Sequence, residues 1–130
     1  EAQWEKAARG TDSRLWPWGN EWDNHRCNSV GTVGKTTPVG NYPSGASLYG
    51  VMDMAGNVWE WCADWYDDNY YSKAPSHNPP GPASGTRRVL RGGSWRYIPS
   101  TVRVANRYSA SPVSSSRSTG FRCSSLGSPR

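Results

Sequence analysis

The sequence predicts a small α+β domain with a few short strands, one or two helices and long irregular loops. Three observations carry that prediction. The chain has 130 residues, enough for a single domain around one core. Eight Trp and seven Tyr accompany fourteen Gly and ten Pro, while Leu and Ile are scarce. A core of that composition packs large aromatics between turn-rich segments rather than aliphatic helix faces. Finally, hydrophobic periodicity is confined to one helical stretch at the start and several strand-like stretches from residue 58 onward.

The first element is a helix over EAQWEKAARG, residues 1–10. Trp4 and Ala8 share one face at i, i+4 spacing, and Gly10 supplies the stop. No cap residue precedes this helix, so the natural protein is expected to begin earlier. Residues 11–50 are rich in Gly, Pro, Asn, Ser and Thr, with Trp16, Trp18 and Trp22 embedded as anchors. Val58–Tyr66 alternates as a strand with Trp59, Trp61 and Trp65 on one side. Residues 67–86 form another turn-rich loop. Val89–Trp95 is a strand interrupted at Gly92-Gly93, where a bulge or a close backbone approach is expected. Val102–Arg107 and Gly120–Ser124 complete the strand set.

Charge divides the chain. Residues 1–68 hold all ten acids and five basic side chains; residues 69–130 hold ten basic side chains and no acid. Such a split can mark a nucleic-acid partner. The reading preferred here is that the two halves pack together and pair their charges, because several Arg lie in strand-like segments. Nucleic acid is therefore not expected as a partner, and no membrane segment is visible. The three cysteines, Cys27, Cys62 and Cys123, form no CxxC pair and suit neither a disulfide framework nor a zinc site.

The stretch from Arg88 to Cys123 is the most informative. Its ends and middle carry Gly, Trp, Arg and Val in demanding combinations, and the segments between are small and polar with two Tyr. From Arg96 to Thr119 there is no Lys, Glu, Gln, Met or Trp, although all five occur earlier. That pattern describes a fixed frame holding replaceable side chains, which is the design of a binding surface. Asp53–Glu60 (DMAGNVWE) is the best cation candidate, because a turn of carbonyls between two carboxylates offers Ca²⁺ hard oxygen ligands. The alternative is a turn with Gly56 and Asn57 in left-handed conformations and Glu60 paired with an Arg.

Five motifs come in fixed order: Glu1-Ala2-Gln3-Trp4-Glu5, Pro17-Trp18-Gly19, Gly56-Asn57-Val58-Trp59-Glu60-Trp61, Arg91-Gly92-Gly93-Ser94-Trp95 and Gly120-Phe121-Arg122. Together they resemble the formylglycine-generating-enzyme (sulfatase-modifying factor) family over nearly the whole chain. The resemblance implies a C-type-lectin-like fold spanning 1–130. It also implies a structural Ca²⁺ held by the Asp53, Gly56 and Val58 carbonyls and the Glu60 carboxylate. A second family Ca²⁺ site, beginning at Asn28, lacks its acidic segment between Val30 and Thr37. The family's oxidases need a copper-binding Cys pair soon after the Gly-Gly-Ser motif, and Trp95–Arg107 contains no Cys. Cys123 matches a family cysteine whose disulfide partner position falls at Ala8. The expectation is a non-enzymatic protein without copper.

Within the same superfamily, GSW…P…VRVANR…P…R…GFRC is similar to the variable proteins of diversity-generating retroelements. Those systems rewrite chosen codons, commonly AAC, to NNY codons, and NNY cannot encode the five residue types missing here. The resemblance implies a scaffold over 1–95, a variable ligand-binding region over 96–119, and a closing strand and tail over 120–130. The replaceable positions are Arg96, Tyr97, Ile98, Ser100, Thr101, Tyr108, Ser109, Ala110 and Ser111, extended by Val113, Ser114, Ser118 and Thr119. Tyr with Ser and other small residues is also the vocabulary of antibody loops. The implied partner is a protein or cell-surface ligand. An N-terminal segment carrying a signal would place the protein at a cell surface or on a virion. The competing expectation is an inactive or regulatory domain of a larger enzyme.

Overall fold

Helix α1 (Ala2–Arg9) ends at Gly10, whose φ of 80° lies where a side chain is disfavoured. The computed structural model describes residues 1–125, so the last five positions of the closing strand and tail expected over 120–130 lie outside the described residues. The strands are β1 (Trp59–Trp65), β2 (Arg88–Arg91), β3 (Arg107–Ala110) and β4 (Thr119–Gly120), with a one-turn helix α2 (Tyr70–Lys73) between β1 and β2. They form one sheet in the order β3-β2-β1-β4, antiparallel except for the parallel β1–β4 pair. Between α1 and β1 the only regular piece is a 3₁₀ turn at Pro43–Gly45.

Strand register sorts the side chains onto two faces. Glu60, Arg91 and Arg107 align across β1, β2 and β3, and Trp61, Leu90 and Tyr108 align one residue further along. The first face receives α1. Trp4 Nε1 donates to Glu60 Oε2 at 2.7 Å, the Arg91 guanidinium meets Glu5, and Arg107 Nε lies 2.6 Å from Glu1 Oε1. With Arg122 on Glu60, the ion pairs of Arg91 and Arg107 join the acidic half of the chain to the basic half, as the charge distribution predicted.

The irregular segments are held by aromatics and by two valines. Trp16, Trp18 and Trp22 pack with ring centroids 5.3–6.3 Å apart. Trp16 Nε1 donates to the Pro99 carbonyl at 3.0 Å, which ties this cluster to the far end of the chain. Val102 enters the cluster of Trp16, Cys27 and Ala55, and Val104 enters that of Ala8 and Met54.

Two strand expectations are corrected. Val102–Asn106 is a looped segment, because its alternating valines anchor in two separate clusters rather than in a ladder. Moreover, the carbonyls of Ala105 and Asn106 accept from the Arg91 guanidinium instead of from a strand. The third strand starts only at Arg107. The expected strand over Gly120–Ser124 is shorter and earlier, pairing Thr119 and Gly120 with Trp59 and Glu60.

A candidate ligand-binding face

Gly92 and Gly93 close β2 with φ of 91° and 71°. A Cβ on Gly93 would lie 2.5 Å from Val102 Cγ1, so only glycine lets the two segments touch. Ser94 is fully buried. From this base the chain runs out as a tethered loop. Trp95 N donates to the Asn57 carbonyl, Val30 N donates to the Tyr97 carbonyl, and Thr101 N closes a turn on Ile98. Arg103 Nε donates to the Ser100 carbonyl, and Asn106 Nδ2 donates to that of Thr101. Val104 N donates to the Leu15 carbonyl. The backbone is therefore fixed by frame residues, while Arg96, Tyr97, Ile98 and Ser100 point into solvent.

Strand β3 adds the next part. Tyr108 is exposed and stacks on Trp59 with ring centroids 5.3 Å apart, and Tyr97 meets the same indole edge-on at 5.5 Å. Two of the expected contact residues, eleven positions apart in sequence, thus share one fixed ring. Each such aromatic pair contributes about 0.5–1.5 kcal/mol beyond its burial. Trp59 is only 3% exposed, and its Nε1 has no acceptor. In the sequence Trp59 reads as a strand residue with no tie to this face. Its alternation with Trp61 was the available signal, and the strand register across β2 supplies what was missing. The 29–37 loop is a second unassigned neighbour, docked through Val30 N and leaving Val30 and Val33 exposed.

The remaining expected positions divide. Val113 and Ser114 are exposed; Thr101, Ala110, Ser111 and Thr119 are half-buried. Ser109 and Ser118 are corrected, since both are turned inward. Ser109 accepts from Arg87 through its hydroxyl and its carbonyl, and the Ser118 carbonyl accepts from Trp59 N at 2.8 Å. They belong to the frame.

At the expected Ca²⁺ turn, Gly56 and Asn57 have φ of 75° and 60°. A Cβ on Gly56 would sit 2.2 Å from the Asn28 carbonyl oxygen. Asp53, Val58 and Glu60 do line a common cavity of about 400 Å³ with Phe121 and Arg122. Two side chains of this turn already have partners within the protein. Asp53 Oδ2 accepts from Gly40 N at 2.7 Å. Glu60 Oε2 accepts from Trp4 Nε1 and from Arg122 Nε, and Oε1 accepts from Arg122 Nη2. The guanidinium already supplies the positive charge, as in the second reading of this turn. Among the described residues, no group of three His, Cys, Asp or Glu is placed to hold a metal. Nor is a nucleophilic thiolate at hand near the core, since burial pushes Cys27 up to about 12 and Cys62 up to about 11.

Comparison with known proteins gives these features a context. The model of the sulfatase-modifying factor enzyme 1-like domain matches residues 1–125. A serine/threonine-protein kinase pkn1 of Chlamydia caviae is 45% identical over 95% of this chain, which spans 20% of that protein. A formylglycine-generating enzyme of Streptomyces coelicolor is 44% identical over 95% of the chain, which spans 44% of it. Among solved structures, Treponema denticola variable protein 1 superposes with a TM-score of 0.83 at 36% identity, over 92% of this chain and 44% of its own. The chain thus spans less than half the length of each. These relatives overturn one expectation. A chain this similar to named formylglycine-generating enzymes is not set apart from an enzyme family by the missing Cys pair. No helix among the described residues is long and apolar enough to cross a membrane.

Proposed function

The chain belongs to the sulfatase-modifying factor enzyme 1-like domain family, and from that premise we propose that this domain recognises a ligand non-covalently through a variable face. The face comprises Arg96, Tyr97, Ile98, Ser100, Tyr108, Val113 and Ser114, the exposed members of the expected set. Thr101, Ala110, Ser111 and Thr119 form its half-buried margin. The observation that carries the reading is the division of labour. The side chains expected to vary face solvent, and they stand on a backbone held by Gly92, Gly93, Ser94, Val102, Val104 and Arg91, all buried. Tyr97 and Tyr108 then provide rigid, amphipathic contact area at low entropic cost, with serines as adaptable hydrogen-bonding groups. The similarity to a Treponema variable protein supports the same reading, and the five residue types missing between Arg96 and Thr119 extend the proposal to an origin by mutagenic reverse transcription.

The test is resequencing of this locus across independent isolates. The account expects replacements concentrated at the exposed positions, limited to residues that NNY codons encode, with Gly92–Trp95, Val102–Asn106 and Gly120–Arg122 unchanged. Identical residues at Tyr97, Tyr108 and their neighbours in every isolate would overturn it. That result would favour the second reading, suggested by the kinase-named and enzyme-named relatives: an accessory domain within a larger enzyme.

A further inference from the structure

The variable face is built from segments that carry no acid. Residues 24–52 and 69–130 contain neither Asp nor Glu. The loop over 29–37, the loop over 94–101 and strands β3 and β4 all lie within them. Trp59, the floor under the two tyrosines, comes from β1, and its neighbour Glu60 is committed to Trp4 and Arg122. On the side of the sheet that receives α1, Arg91 and Arg107 are neutralised by Glu5 and Glu1. Lys35, Arg96 and Arg117 are different: each is exposed, and none has a carboxylate partner among the described residues.

These three cations come from separate segments, yet one short stretch gathers them. Asn57 Oδ1 accepts from Asn28 Nδ2 and from Thr37 N, and Asn28 Nδ2 also donates to the Lys35 carbonyl at 2.8 Å. The Asn57 carbonyl accepts from Trp95 N, next to Arg96, and Trp59 N donates to the Ser118 carbonyl, next to Arg117. Asn57 and Trp59 are two residues apart, about 7 Å of extended chain. The backbones of Lys35, Arg96 and Arg117 are thus fastened around the residue that Tyr97 and Tyr108 share. Cations grouped on this scale, comparable with the ~8 Å Debye length of physiological salt, act on a ligand together.

Between the charges the surface is apolar. Tyr97, Ile98 and Tyr108 are exposed, as are Val30 and Val33 of the loop docked on Tyr97. An apolar centre with a charged rim is the anatomy of a protein–protein interface, where Tyr and Arg supply much of the binding energy. A nucleic acid would reward a phosphate track and open stacking platforms. Here one side of the Tyr108 ring is taken by Trp59, and Ile98, Val30 and Val33 offer nothing to a base or a phosphate.

Resting on the reading of this region as a ligand-binding face, we propose that its partner is a protein presenting an acidic surface with apolar side chains among the carboxylates. Lys35 and Arg117 lie outside the replaceable set, so this preference is common to all variants, while Arg96 and its neighbours select among acidic partners. The fixed cations supply encounter rate, and the replaceable side chains supply selectivity.

Three probes test this: a synthetic peptide alternating Glu with Leu and Tyr, the same peptide with Gln for Glu, and oligothymidylate. Each is titrated into the ¹⁵N-labelled domain at low ionic strength, and backbone amide shifts are mapped. The acidic peptide is expected to give saturable shifts at 30–35, 96–98 and 117–119, to bind more tightly than either other probe, and to weaken as NaCl is raised. Lys35→Gln combined with Arg117→Gln is expected to weaken it about fivefold, the scale of two exposed charge contacts. Lys6→Gln combined with Lys73→Gln removes the same formal charge from exposed side chains of α1 and α2, and is expected to leave the affinity within about twofold. Absence of a saturable shift with the acidic peptide, shifts confined to another surface, or equal weakening in the two double variants would overturn the proposal. Equally tight binding of the Gln peptide at the same amides would overturn the charge assignment and leave the face standing. Tighter binding of oligothymidylate would overturn the choice of a protein partner.

Discussion

Arg91→Ala is expected to destabilise the domain by about 4 kcal/mol, the range for breaking a buried, hydrogen-bonded ion pair. Arg91 is fully buried at the junction of sheet, helix and loop. Its guanidinium pairs with Glu5 of α1 and donates to the carbonyls of Ala105 and Asn106 at 3.1 and 2.8 Å. Removing it leaves two loop carbonyls without their donor, a carboxylate without its partner and a void beside Trp4, whose ring the guanidinium faces at 5.2 Å. For a chain of this size the loss corresponds to a melting temperature lower by about 10 °C or more. Arg91→Lys keeps the charge but cannot reach both carbonyls and the carboxylate in one plane, so it is expected to recover less than half of the loss. Thermal unfolding of the three proteins measures this. Equal melting temperatures would remove Arg91 from the frame.

Glu60→Ala is the second large effect, about 3 kcal/mol, because it releases two segments at once. The carboxylate is 5% exposed and holds Trp4 of α1 through the indole N–H and Arg122 through two nitrogens. Without it Arg122 retains only the Met52 carbonyl. Glu60→Gln keeps an acceptor for Trp4 and is expected to cost about half as much. This prediction also separates the two readings of the 53–60 turn. If Arg122 is the counter-charge, unfolding curves in EDTA and in added Ca²⁺ superimpose for the parent protein. A chelator-induced fall in melting temperature would restore the metal and contradict the assignment of Glu60 to Arg122.

These two residues also show what could be read from the chain before its structure. The helix at 1–10 was legible because Trp4 and Ala8 repeat at helical spacing and Gly10 stops the run. The strand β1 was legible from the alternation of Trp59, Trp61 and Trp65, and Gly92-Gly93 announced a close approach that Val102 makes. Val102 and Val104 alternate like a strand for a different reason: each plugs a separate cluster while the backbone between them turns. A pattern of period two cannot distinguish those cases. In the candidate face, solvent-directed positions such as Tyr97 and Ile98 were legible from composition. Ser109 and Ser118 were not separable from them, because a serine reads alike whether it faces water or accepts from Arg87. The support given by Trp59 depends on the pairing of β1, β2 and β3, and register of that kind is set by long-range contacts.

The separation of face from frame is the central claim, and one measurement addresses it directly. Arg96, Tyr97, Ile98, Ser100, Tyr108, Val113 and Ser114 are replaced together by other NNY-encoded residues, and chemical unfolding is compared with that of the parent. Exposed substitutions contribute a few tenths of a kcal/mol each, and uncovering Trp59 adds about 1 kcal/mol for each lost ring. A cooperative transition reduced by no more than about 3 kcal/mol is predicted, with backbone amide signals outside 96–119 moved only beside Trp59 and Val30. A seven-fold variant that fails to fold, or whose amide signals shift throughout the sheet, would show that these side chains hold the fold together and would contradict the claim.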